Sequence, residues 1–457
     1  MFSRFNTYNR NTRHTKLKQM AKPKLALIPA AQGSDKLFSV LPSSGVGDFD
    51  FIRPSSATRI NSKGLIEEVA TKESRLNYPL IDGKVVGCPH HILEPERRNL
   101  VTYSEDFSQG YWTKLNSSIT SNSVISPDGS LNASSFTQSG GTAEHSIYNT
   151  LPTLTSGAKY AGSVFLKYDD WQYFQVRFRS GGFGGEIGVI YDAINKTITT
   201  TNGNLLSSKV EDYANDWVRI SIVAQSTSAN NFAGLVVAYN NSGTVFNDPD
   251  SVPNTGANAY IWGVQVEQGS YPTSYIPNNG ESDGVTRAAE TANGSGSAAT
   301  FNDSEGVLMA EISALPQTSR IALNDGTTSN NVRFVYDAGA NRIDGIVFNG
   351  SNQFASQYTL PIQGSFNKIS LKYKPNDFAL WVNGFKVGSL IGSGSTFTEG
   401  TLSELDFDAG SNGLLPFYGS TKQIQYYNSA LTDIELEQLT SWTSFTDMAQ
   451  GQQYSIK

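Results

Sequence analysis

Hydrophobic and polar residues alternate with period two along much of this chain, the mark of half-buried β-strands. In Gln172 to Arg179, Phe174, Val176 and Phe178 share one face, and Tyr173, Gln175, Arg177 and Arg179 share the other. Trp217 to Ala224 repeats the pattern with Val218, Ile220 and Ile222; Tyr260 to Glu267 repeats it with Tyr260, Trp262, Val264 and Val266. Turn clusters separate such runs: Gly181-Gly182, Asn202-Gly203 and Asn240-Asn241-Ser242-Gly243. Residues 99–277 therefore read as a β-sandwich. Residues 278–300 lose all apolar periodicity and read as a linker.

A second β-unit spans 301–445. Asn367 to Lys374 places Ile369, Leu371 and Tyr373 inward and Lys368, Ser370, Lys372 and Lys374 outward. Phe378 to Val387 reads as a hairpin turning at Asn383-Gly384. One helix is expected, about Asp433 to Leu439. Thr432 is its N-cap, Glu435 completes a capping box, and Leu431 and Leu436 form a hydrophobic staple. Residues 25–98 are irregular and punctuated by Pro and Gly, with short extended runs at Lys36 to Leu41 and Phe49 to Arg53 and a short helix expected by composition over 64–74. Residues 1–24 form an arm and 446–457 a tail. No repeat of fixed period is present.

Composition narrows the class. Of 457 residues, 16% are charged and 11% aromatic, which excludes a disordered, charge-rich chain. With 42 glycines and 17 prolines, collagen-like sequence is excluded too. The single cysteine, Cys88, rules out an internal disulfide framework and fits folding in a reducing cytoplasm. The first long apolar run, Leu25 to Ala31, contains Pro29 and is far short of the ~20 residues that span a membrane. The amino terminus lacks the uninterrupted apolar region of a signal peptide. The net charge of −7 is uneven: residues 1–24 hold Arg4, Arg10, Arg13, Lys16, Lys18, Lys22 and Lys24 and no acid. This arm reads as a docking tail or an unstructured terminus, and Met20 reads as an alternative start. Nucleic acid is not an expected partner, because the body has no basic stripe interleaved with aromatics.

Three stretches resemble a family of bacteriophage virion proteins. The first runs from Pro23 to Val69 and carries Arg53, Ser56-Ala57-Thr58-Arg59, Asn61 and Gly64-Leu65-Ile66-Glu67. The second, CPHHILEPERRNLVTYSEDFSQGYW, ends at Trp112. The third, AYIWGVQVEQGSYPTSYIPNNGESDGVTRAAE, covers 259–290. Together they are similar to the amino-terminal module of phage tail-fibre, head-fibre and decoration proteins. One departure is Arg98, where that family more often has Thr. The resemblance implies a carbohydrate-binding-module-like jelly roll between the second and third stretches, virion attachment through residues 25–98, and a homotrimer. It also implies assembly in the bacterial host cytoplasm. Residues 367–389 and 417–439 resemble a laminin-G or concanavalin-A-like sandwich. The fold expected is thus all-β: two tandem β-sandwiches, jelly roll then concanavalin-A/laminin-G-like, behind an irregular N-terminal attachment region.

Candidate chemistry is sparse. The histidines are His14, His90, His91 and His145; the adjacent pair His90-His91 points to opposite sides of an extended chain. No metal site, no cofactor and no G-x-S-x-G motif is expected. Glu404, Asp406 and Asp408 alternate and would share one strand face. They read as a solvated acidic face, a calcium site, or a catalytic set resembling the E-x-D-x-E of concanavalin-A-like glycosidases, with Asp408 in place of the final Glu. For sugar binding the candidates are Tyr173, Gln175, Arg177 and Arg179 on one sheet face, which otherwise reads as an ordinary exposed face or an oligomer contact, and Trp381, which otherwise reads as buried against the capping helix or a partner subunit. Trp112, Trp217 and Trp262 read as core. The expectation is a non-enzymatic virion protein (head or tail fibre, spike or decoration) that meets other virion proteins and binds host-surface glycans. The alternatives are a ligand-free structural component and a glycan depolymerase.

Overall fold

The computed structural model describes residues 21–140, 143–229, 234–246, 256–410, 413–444 and 447–448. Most of the basic arm, including His14, and most of the 446–457 tail lie outside them. The alternating runs form two antiparallel sandwiches. In the first, one sheet has the order Thr113–Leu115, Ser146–Tyr148, Leu235–Asn240, Tyr173–Phe178, Ile187–Asp192, Thr197–Asn202. The facing sheet has Ser117–Val124, Ala133–Gln138, Asn258–Gln268, Lys159–Tyr168, Val218–Gln225, Leu205–Asp212. Phe174, Val176, Phe178, Ile220, Ile222 and Val264 meet in the core between them.

One face assignment changes. Gly263 sits at φ +61, where the pairing of Lys159–Tyr168 with Asn258–Gln268 slips between Ser163 and Phe165. This bulge shifts the alternation by one residue. Ala259 and Ile261 face the core before it and Val264 and Val266 after it, so Tyr260 and Trp262 point outward. Trp262 and Trp217 instead form a separate cluster with Phe165, Tyr275 and Ile66. A Cβ at Gly263 would come within 2.8 Å of the Phe165 ring.

The second sandwich packs a sheet centred on Gly306–Ala314 and Gly419–Tyr427 against one running Ser389–Ile391, Asn352–Thr359, Arg342–Asn349, Asn330–Asp337, Ser319–Asn324, Glu404–Asp406. The hairpin turns at Asn383 and Gly384, both at positive φ. The helix is Asp433–Thr440, with the Thr432/Glu435 capping box formed. It lies over Asn367–Tyr373 and Ala379–Val382, so Lys368 and Lys372 are covered rather than open to solvent. Lys372 pairs with Asp377 at 2.6 Å, and Lys368 lies over the Trp442 ring.

Residues 25–98 do not stand apart as an attachment region. Leu25–Leu27 and His90–Leu93 pair with Gly419–Tyr427, and Leu25, Leu27, Phe49, Phe51 and Leu93 enter the second sandwich's core. Residues 64–74 are not helical. Ala57–Ile60 and Ile66–Val69 pair as a hairpin, closed by Gly64 at φ +80 and by Asn61, whose side chain accepts from the Lys63 and Leu65 amides. Ile66 of this hairpin packs on the first sandwich. The expected linker, 278–300, is also structured. Val285–Arg287 pairs with Arg97–Asn99, and Thr291–Asn293 pairs with Phe49–Ile52.

Its apolar periodicity is missing because all its buried residues except Ala292 are polar or charged: Asn278, Arg287, Glu290, Ser295 and Thr300. Arg287 and Glu290 join Arg53, Arg75 and Glu94 in a network at most 3% exposed. Arg53 Nη1 donates to Glu290 Oε1 at 2.8 Å, as does Arg75 Nε. Arg75 Nη2 reaches Glu94 Oε2 at 2.9 Å, and Arg287 Nη1 reaches it at 2.6 Å. The Glu94 amide donates to Glu290 Oε2 at 2.9 Å. Burial pushes the Glu94 carboxyl up, but Arg287, Arg75 and Ser274 outweigh it and hold it down at about 2. Removing one member of a buried charge set strands the others and typically costs about 3–5 kcal/mol. Glu290→Gln should therefore lower unfolding free energy by about that amount in chemical denaturation; a loss under about 1 kcal/mol would mean water reaches the network.

His90 and His91 are buried beside this network, and burial first of all lowers their pKa values to about 3 and about 4. The unfolded chain takes up these protons below pH 6.5, while the folded chain resists. Their contribution is full above 6.5 and is lost as pH falls toward 4 for His91 and toward 3 for His90, at roughly 3 and 5 kcal/mol respectively. Glu94, depressed from 4.5 to about 2, adds a loss of the same sign lower down. A His90→Gln/His91→Gln variant should lose the decline between pH 6.5 and 4.5 in Tm against pH, and keep below that only the part due to Glu94.

Candidate functional site

Tyr173, Gln175, Arg177 and Arg179 come from the Tyr173–Phe178 strand and its end, deep within its sheet. Alternation sends their side chains to the sheet's outer face, opposite the core residues Phe174, Val176 and Phe178. One row across the sheet runs Tyr148, Val236, Arg177, Gly188, and the next runs Ser146, Ala238, Gln175, Ile190. Gly188 is required there: a Cβ would come within 2.5 Å of the Arg177 Cβ.

Gln175 and Arg177 are not open to solvent as expected; each is 3% exposed. Gln175 Nε2 donates to Asn240 Oδ1 at 2.7 Å. Arg177 lies between Glu144 at 2.8 Å and Glu186 at 3.2 Å. Spare capacity remains, since Arg177 Nη1, Gln175 Oε1 and Ser146 Oγ have no hydrogen-bond partner. Arg179 stacks over the Tyr148 ring at 4.2 Å. Tyr173 is half-buried, with the turn at Gly243 against its ring. The face therefore offers two aromatic rings, guanidinium donors and carboxylate acceptors in near charge balance. That chemistry suits the apolar faces and hydroxyls of a neutral sugar. Tyr148, Glu144 and Glu186 join the face only through strand pairing and loops, and no local pattern marks them.

Trp381 belongs elsewhere. It is 7% exposed and packs with Val307, Met309, Tyr427, Leu436 and Leu439 beneath the helix. The acidic trio is not a solvated face either. Asp406 and Asp408 are buried, and they fasten the 293–294 segment. Asp406 accepts from the Gly294 amide at 2.6 Å and from Asn324 Nδ2 at 2.7 Å. Asp408 accepts from Asn293 Nδ2 at 2.7 Å and from the Gly410 amide at 2.6 Å. Burial, outweighing these hydrogen bonds, pushes Asp406 up to about 6; burial and then Asp408 push half-buried Glu404 up as well. Among the described residues no group of three His, Cys, Asp or Glu side chains is placed to hold a metal ion. Cys88 is exposed, and His145 is buried with Nε2 2.9 Å from the Ser139 carbonyl.

No protein-family model and no curated protein matches the chain. Solved structures similar to parts of it include the Ruminococcus gnavus IT-sialidase CBM40 bound to α2,3 sialyllactose, 19% identical, covering 31% of this chain and 84% of that one, TM-score 0.27. Mouse laminin α1 chain domains LG4-5 are 10% identical over 64% of this chain and 92% of that one, TM-score 0.22. Trypanosoma rangeli sialidase with the inhibitor DANA is 11% identical over 86% and 82%, TM-score 0.26. At these scores none of them bears on the residues of the site.

Trp381→Ala should cost about 3–5 kcal/mol of stability by opening a cavity under the helix, and leave any sugar binding unchanged. Weakened binding at unchanged Tm would return Trp381 to the surface as a sugar platform.

Proposed function

We propose that this chain is a structural component of a tailed-phage virion, a fibre, spike or decoration module that binds host-surface glycan through the outer face of its first sandwich. The observation that carries the glycan reading is the set of buried polar groups with spare hydrogen-bonding capacity, Arg177, Gln175 and Ser146, flanked by the half-exposed rings of Tyr173 and Tyr148. The virion setting rests on the three stretches that resemble phage fibre and decoration proteins. Their Arg53, Glu94, Arg287 and Glu290 meet in one buried network, which fits stretches that act as one unit. In this reading the chain is not an enzyme, since Asp406 and Asp408 are engaged in holding a segment. It assembles as a homotrimer in the host cytoplasm, and several copies per particle turn weak single-site affinity into avidity.

The test is adhesion of the fluorescently labelled full chain to a panel of intact bacterial cells, with and without periodate oxidation of surface sugars. Binding should be abolished by periodate and weakened about tenfold or more by Tyr173→Ala/Arg179→Ala, which removes stacking and a fork donor. Unchanged adhesion of that variant, folded as judged by Tm, would favour a ligand-free structural role for this face.

A further inference from the structure

The outer face of the second sandwich carries a different charge arrangement. Strands Ser319–Asn324 and Asn330–Asp337 pair with Arg320 opposite Val335 and Ala322 opposite Arg333. The two arginines are thus diagonal neighbours on one face. Both are half-buried, and the Nε atoms of both are buried without a hydrogen-bond partner. Arg333 Nη1 donates to Asn331 Oδ1 at 2.6 Å, and its guanidinium lies over the Phe348 ring at 5.4 Å.

Neither has an acidic partner among the described residues. Elsewhere most buried arginines are paired: Arg53, Arg75, Arg177 and Arg287 each meet a carboxylate, and Arg219 is held by Ser163 and the Thr273 carbonyl instead. Here burial lowers the pKa of Arg320, and burial and then Arg320 lower that of Arg333 to about 10, with no carboxylate opposing either shift. Two like charges sit side by side over Ala322 and Val335, and the nearest acids on this face are engaged elsewhere: Asp344, opposite Val335, pairs with Arg342, and Asp406, opposite Ala322, accepts from Gly294 and Asn324. An anion bridging the two forks would relieve the repulsion, because guanidiniums take planar carboxylates and sulfates bidentately.

We propose that Arg320 and Arg333 form a second glycan subsite, which takes the carboxylate or sulfate of an acidic surface polysaccharide, with the half-buried Phe348 ring beside it for a sugar face. This deepens the glycan-binding reading and rests on it, but uses a different sandwich and different residues.

The experiment is isothermal titration calorimetry of the full chain with trigalacturonate, a chondroitin sulfate hexasaccharide, neutral galactotriose and inorganic sulfate. The variants are Arg320→Gln and Arg333→Gln, which keep much of the stem over Ala322 and Val335. The acidic oligosaccharides should bind, and either substitution should weaken them about tenfold or more. Galactotriose binding, if present, should not change. Neither substitution should lower Tm, because each removes a repulsion. No binding of either acidic oligosaccharide, or binding that survives both substitutions, overturns the proposal. So does inorganic sulfate binding as tightly as the oligosaccharides, which would make the pair an anion site without sugar recognition. Each of these results leaves the first-sandwich reading standing wherever Tyr173→Ala/Arg179→Ala still weakens cell adhesion; loss of that effect alone removes the first site and not this one.

Discussion

Five buried charges decide how this chain is put together. Arg53, Arg75 and Arg287 surround Glu94 and Glu290, drawn from segments as far apart as 237 positions in sequence. Carbonyls take up donors the carboxylates leave over: Arg53 donates to Ser55 and Ala70, Arg75 to Thr58, and Arg287 to Pro95. A network this dry is tolerable only when nearly complete, since each missing member leaves another charge in a low dielectric. Three pieces of chain must therefore arrive together: the 53–75 region, the Glu94 strand and the 287–290 segment. The N-terminal region is in effect a bracket. One part of it completes the second sandwich through Leu25–Leu27 and His90–Leu93, and another, the hairpin carrying Ile66, seats on the first.

Much of the fold was legible because alternation is a local signal. The strand Tyr173–Phe178, the Asn383-Gly384 turn and the Thr432/Glu435 cap all depend on residues a few positions apart, and each formed where its pattern lies. The failures share a cause. Residues 278–300 look like a linker because nearly all their buried side chains are polar, Arg287 and Glu290 among them, and burial of a charge cannot be read without its partner. Lys368 and Lys372 look solvent-facing until the helix Asp433–Thr440, more than 60 residues on, covers them. Tyr260 and Trp262 were assigned the wrong face because one glycine in the αL region, Gly263, flips the alternation; glycine within a strand was the available hint.

The candidate site was half legible on the same grounds. That Tyr173, Gln175, Arg177 and Arg179 share a face follows from period two. That Gln175 and Arg177 are sunk in it follows from Glu144, Glu186 and Asn240, which only tertiary pairing supplies. Glu404, Asp406 and Asp408 show the reverse error. Their spacing suggested a surface constellation, yet Asp406 and Asp408 spend their lone pairs on Gly294, Asn324, Asn293 and Gly410. A carboxylate with its acceptor sites filled by buried amides is a fastening, and spacing alone does not distinguish that from a ligand set.

The bracket also changes what two sugar-binding faces would do together. Joined by a flexible linker, they would sample many separations, and the second contact would gain only the effective concentration the tether allows. Here segment 278–300 is pinned at two paired stretches, Val285–Arg287 and Thr291–Asn293, and the network crosses it through buried Arg287 and Glu290. The two outer faces are held at one separation and orientation. Such a pair would lose less freedom if both engaged one polymer, and would discriminate against polymers whose repeat does not match the spacing. The two faces also differ in charge: the first balances Arg177 and Arg179 against Glu144 and Glu186, whereas the second leaves Arg320 and Arg333 unbalanced. If both faces bind sugar as proposed, a ruler with a neutral reader and a cationic reader would select on both spacing and charge, a selectivity neither sandwich would have alone.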